Sequence, residues 1–230
     1  MVKTIKITGM VPQGIFEQVS LMAADNTKDL SMSGVGQENP LYNIHQAILV
    51  LEIGTHLSAI GRQGVAKPIL LVAVDEESPS TVLGFLLSMP IDNRPDECGI
   101  SYGAVKATHR RKGIFKALVM ELGQHFPKST LSCPMSLVPM YERMGYKVTG
   151  HRDHHIAMSN GASPGGTMPI FNPDDISDHP VLMMAQADTV KRFGQAGIFS
   201  ALQKLTLEAE LATKKAKIYA EERLKRTPAQ

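Results

Sequence analysis

The chain has two cysteines, no apolar run near the eighteen or so residues a membrane span needs, and a net charge of only +2 over 230 residues. Each shortage excludes something. Cys98 and Cys133 cannot cage a metal by themselves and lie in no CxxC or HxxxH spacing, so no metal is expected and both read as buried thiols. The missing apolar run argues against a membrane partner. The opening MVKTIKITGMVP lacks the apolar block and small-residue cleavage site of a signal peptide, so the expected location is cytoplasmic.

The small net charge divides unevenly. From residue 187 onward nine Lys or Arg meet five Asp or Glu, while the remainder holds fifteen basic against seventeen acidic residues, leaving the tail at +4 and the body at −2. With mixed signs and no interleaved aromatics, that tail reads as a solvated helix face, and nucleic acid is an unlikely partner. The histidines of HRDHH, residues 151 to 155, fall at a turn and strand start, where exposed imidazoles are expected.

What is present suits one full core plus an appendage: 43% hydrophobic and 20% charged residues are ordinary for a globular chain of this length. Residues 2 to 8 alternate as a first strand, and a helix is expected from about Pro12 to Ala24 with Ile15, Val19 and Met22 inward. The turn-rich stretch 25 to 40 reads as a loop. A strongly apolar helix follows from about Leu41 to Ile60, with Ile44, Ile48, Leu51 and Ile53 able to cover a sheet. Strands are expected at 69–74, 82–89, 98–105, 129–133, 146–151 and 154–158, with helices at 113–125 and 136–144.

After Ser159 the composition changes. NGASPGGTMPIFNPDDISDHP holds four prolines and three glycines and reads as a linker or extended arm over 159–180. Residues 181–226 then read as helical, with an interruption near Gly194 and Gly197. In the later part Ile198, Leu202, Leu205, Ala209, Ala212, Ala216 and Tyr219 recur at steps of four and three, the pattern of a coiled-coil seam. Such a helix must bury that seam on its own domain, a second copy or another protein, and a homo-oligomer is the preferred expectation.

The most informative stretch is VKATHRRKGIFKAL, residues 105 to 118, which runs from a strand end through a basic turn into a helix. Arg110, Arg111 and Lys112 bring charge, Gly113 permits close backbone approach, and Ile114, Leu118 and Val119 begin an apolar helical face. The first amides of that helix have no internal acceptor, so the turn is suited to phosphate.

Residues 110 to 115, RRKGIF, resemble the (Arg/Gln)xxGx(Gly/Ala) pyrophosphate loop of the GNAT superfamily of N-acetyltransferases, with Phe115 in the place of the last small residue. LVPMYERMGY, residues 137 to 146, resembles the family's YExxGF segment, and Gly84–Phe85 resemble its central hairpin. An asparagine often found seven residues before the tyrosine is here Pro134, and Pro139 lies inside the expected helix.

This resemblance implies an α/β (α+β) fold over 1–158 with a mixed, mostly antiparallel central sheet flanked by helices, followed by the 159–180 linker and the 181–230 helical extension. It implies acetyl-CoA as cofactor and transfer of the acetyl group to a primary amine of a small molecule or protein. The amides of residues 111–115, with Arg110, Arg111, Lys112, Gly113, Ile114 and Phe115, would hold the pyrophosphate, and the main chain near Val105 would pair with the pantetheine arm. Tyr141 would protonate the departing thiolate. For the general base Glu97 ranks first, ahead of Tyr102 and His109. The competing expectation is a structural or interaction protein that keeps the fold and assembles through its C-terminal helix, for example in a virus particle.

Overall fold

The computed structural model describes residues 2–62, 68–161, 165–168 and 171–226. Seven strands form one sheet in the order β1-β2-β3-β4-β5-β7-β6, where β1 is Val2–Ile7, β2 Ile69–Asp75, β3 Val82–Ile91, β4 Arg94–Val105, β5 Lys128–Cys133, β6 Lys147–Arg152 and β7 His155–Ser159. Every neighbouring pair is antiparallel except β4 and β5. This is the mixed, mostly antiparallel sheet expected, with helices on both faces.

One face carries α1 (Gln13–Asp25) and α3 (Tyr42–Ala59), whose Val19, Met22 and Ile53 meet Leu70, Val72, Phe85 and Leu87 of the sheet. The other carries α4 (Ile114–His125), with Ile114, Leu118 and Leu122 against Leu71, Leu86 and Ile100. Gly84 lets α4 come close, because a Cβ there would lie 3.1 Å from Val105 and 3.3 Å from Ile114.

The α3 expectation is corrected in one respect. Only Ile53 of the four named apolar residues faces the sheet; Ile44, Ile48 and Leu51 turn outward and are covered by Phe171, Ile176, Leu182 and Ala185. A helix apolar all round must be buried on two sides, and the segment after Ser159 supplies the second. The loop expected at 25–40 holds one helical turn, α2 (Thr27–Leu30). The helix expected at 136–144 is a single 3-10 turn at Met135–Leu137 followed by a short α5, Val138–Glu142. Pro139 does no damage there, since it lies in the first turn of α5, where an N–H has no internal acceptor to lose.

The last helix, α6, runs from Pro180 to Arg226 and is interrupted at Gly194, whose φ of 64° and ψ of 170° are not helical. Its first part packs on α3, and its second part lays Ala216, Ala220 and Tyr219 among Tyr146, Val148 and Met158 on the α4 side of the sheet. Ala216 is fully buried, whereas Leu202 of the expected seam is exposed. Glu142 of α5 pairs with Arg223 at 3.3 Å. Among the described residues no helix is long and apolar enough to cross a membrane.

Candidate active site

The parallel pair β4–β5 is short. Only Glu97, Cys98 and Gly99 pair with Lys128, Ser129 and Thr130; beyond them the two strands separate, while β5 keeps β7 on its other edge. Residues 100 to 105 of β4 therefore keep an unpaired edge facing the gap, locally bent where Ser101 is extra between the pairs Ser88–Ile100 and Leu87–Tyr102.

At the open end of the gap lies the basic turn. Arg111 and Gly113 both take left-handed conformations, φ 63° and 80°, the kind of turn backbone from which anion-binding nests are built. The first helical bond of α4 runs from the amide of Ala117 to the carbonyl of Gly113. The amides of Arg111 through Lys116 have no acceptor among the described residues. Six free donors at a helix start, flanked by Arg111 and Lys112 in solvent, form a cradle for an anion.

A β4 edge opened by strand divergence and ending in that cradle is the GNAT-like architecture expected from the sequence. No family model matches the chain, and no curated protein matches it. Solved structures of similar fold include an acyl-CoA N-acyltransferase from Pseudomonas aeruginosa, 11% identical, TM-score 0.48, covering 69% of this chain and 97% of that one. The ribosomal-protein-S18-alanine N-acetyltransferase from Escherichia coli is 11% identical, with a TM-score of 0.47 over 74% of this chain and 100% of that one. A histone acetyltransferase HPA2 and related acetyltransferase from Corynebacterium glutamicum is 16% identical, TM-score 0.49, over 70% and 98%.

Two cavities meet in the gap of this GNAT-like sheet. The larger, of about 670 Å³, runs from Arg110 and Phe115 past Gly103–Val105 to Tyr141. The second, of about 420 Å³, lies between β4, β5 and α3 and is lined by Glu52, His56, Ser101, Tyr102 and Arg152, with Met168 and Phe171 from the segment after Ser159. Gly103, Pro134, Tyr141 and His155 line both.

Tyr141 is buried, its ring edge-on to Phe115 at 5.9 Å and to Tyr146 at 5.7 Å. Its hydroxyl has no hydrogen-bond partner among the described residues, whereas that of Tyr146 is tied to Ser129. Burial, and then the neighbouring Cys133 and Tyr146, raise the Tyr141 pKa, so the phenol stays protonated. Phe115 lies on the bare backbone of Gly103, where a Cβ would come within 2.7 Å of its ring. Its benzyl group is thus directed to β4 and forms part of the cavity wall.

Arg110 bridges the turn to the α1–α2 segment. Its guanidinium donates to the Asn26 side chain, lies 3.8 Å from Asp29, and its Nε donates to the Val105 carbonyl at 3.4 Å. Glu97 is placed elsewhere: buried at the start of β4, it takes a bond from Arg94 at 3.2 Å, lies 3.8 Å from Lys128, and lines neither cavity. His109 also lies outside both cavities, bonded to the Thr108 hydroxyl at 2.9 Å. Tyr102 faces the second cavity; burial first, and then the Glu52 carboxylate, raise its pKa. Both cysteines are buried, and burial pushes each thiol up to about 12.

Sequence reasoning missed two residues. Glu52 stands on α3 facing the second cavity, 3.8 Å from His56; a lone carboxylate within the apolar run ILVLEIG was its signal. His155 was expected to be exposed and is 7% exposed, because β7 lies between β5 and β6 and its residues are covered on both faces. The apolar HIAMS run was the available signal.

Proposed function

We propose that the chain is an acetyl-CoA-dependent N-acetyltransferase acting on a primary amine. The observation that carries this reading is the row of unpaired amides from Arg111 to Lys116 at the mouth of a cleft floored by the free edge of β4. A diphosphate fits those donors, since buried or aligned N–H groups without acceptors favour an anionic ligand at a helix start. An amide-containing extended arm fits the β4 edge as an added strand would, and a backbone donor at the strand end near Val105 would polarise the thioester carbonyl.

Acetyl-CoA, when bound, supplies the acyl group as a thioester. The chain's own part is to align and to move protons. Tyr141 stands where both cavities meet and holds its proton, which suits it to donate to a departing thiolate. The burial that raises the phenol also raises a thiolate brought beside it, so the two remain matched as acid and base. The second cavity would receive the acceptor. Glu52 and Arg152, which both line it, give it charges of both signs.

Replacing Tyr141 by Phe keeps the ring packing and removes the proton. The expected result is a loss in turnover of about 10²-fold or more with little change in acetyl-CoA affinity, read from thiol release and from calorimetric binding. Full turnover in Tyr141→Phe would remove the acid role from this residue.

A further inference from the structure

His155 opens β7 and faces the same gap from the side opposite β4. Its imidazole is more than nine-tenths buried, lines both cavities, and has Nδ1 enclosed without a hydrogen-bond partner among the described residues. An enclosed, unpartnered ring nitrogen costs free energy unless a ligand or solvent atom meets it. The His154 ring lies edge-on to that of His155, with centroids 4.7 Å apart. Tyr141 shares both cavities with it. Burial keeps the imidazole neutral, leaving a ring nitrogen with a free lone pair, and the same burial lowers its proton affinity.

We propose that His155 is the proton acceptor for the incoming amine, with Tyr141 as the proton donor on the other side of the reacting carbon. This rests on the acetyl-transfer reading. In the step the acceptor nitrogen bonds to the acyl carbon and its N–H proton passes to the imidazole. The carbon–sulfur bond breaks and the sulfur takes the phenolic proton of Tyr141. The imidazolium and phenolate then return to neutrality through solvent, so no further reagent is consumed. Glu97, held by Arg94 and Lys128 outside the cavities, has no part in it. Other groups able to compete are Asp29, which lines both cavities and lies 3.8 Å from Arg110, and Glu52 and His56, which face only the second.

The test uses the full chain with acetyl-CoA and methylamine, following thiol release, and calorimetric acetyl-CoA binding in parallel. His155→Gln and His155→Ala should bind acetyl-CoA within about twofold of wild type, yet release thiol on the order of 10²-fold more slowly, with added imidazole restoring part of the His155→Ala rate. Near-normal rates in both His155 variants, or affinity falling in step with rate, would overturn the proposal. Should His155→Ala not fold, His155→Gln alone decides by the same criteria. A wild-type chain that binds acetyl-CoA but releases no thiol would overturn the proton-acceptor role alone; one that does not bind it would overturn the acetyl-transfer reading and this proposal with it.

Discussion

Lowering the pH should destabilise this protein through His155. Burial, reinforced by the charge of His154 and opposed by Asp153, brings its pKa down from 6.5 to about 4 in the folded chain. The unfolded chain therefore takes up the proton first as the pH falls. Stability from the neutral imidazole is complete above about pH 6.5, declines as the pH falls towards 4, and changes no further below that. Each pKa unit is worth about 1.4 kcal/mol, so the drop of roughly 2.5 units sets a ceiling of about 3 kcal/mol. His45, lowered by burial, adds a loss of the same sign, so the wild type alone does not isolate the effect. The assay is urea unfolding at several pH values for wild type and His155→Gln, with the difference between the two curves taken at each pH. That difference should shrink by a few kcal/mol between pH 7 and 4. A difference independent of pH would mean that the imidazole is as well solvated folded as unfolded, and the buried placement would be refuted.

Gly103→Ala would put a Cβ within 2.7 Å of the Phe115 ring, so that ring must leave β4; overpacking of this kind costs on the order of 1–3 kcal/mol, and unchanged thermal stability would show that the ring does not rest there. Glu97→Gln should lower stability by about 1–3 kcal/mol by leaving Arg94 and Lys128 without their carboxylate, while thiol release per folded molecule stays as in wild type. A large loss of turnover in a stable Glu97→Gln variant would return that residue to the reaction.

The parts of the site that were legible in the sequence are those fixed by local chemistry. The basic turn is legible because a glycine among cations between a strand and an apolar helix is a local pattern, and Tyr141 because it precedes a helix stop at Gly145, whose φ is 91°; neither says much without the spacing between them. What escaped depends on contacts distant along the chain. His155 is covered because β7 runs between β5 and β6, and no window of residues around HRDHH contains that fact. Phe115 points to β4 because Gly103, twelve residues earlier, leaves room for it. The outer side of α3 looks like a second sheet-facing surface until the chain after Ser159 returns to cover it. Pro139 reads as a helix breaker only if the helix is taken to begin before Val138.

The most direct test is thermal unfolding with and without acetyl-CoA. At a hundred times its dissociation constant a ligand that binds only the folded chain adds about 2.7 kcal/mol, enough to raise the melting temperature by several degrees. The rise should be reproduced by coenzyme A and should be smaller in a Gly113→Val variant, whose β-branched side chain is strained at a φ of 80°. No rise with either ligand in the wild-type protein would contradict the assignment of the 111–116 amides to a diphosphate.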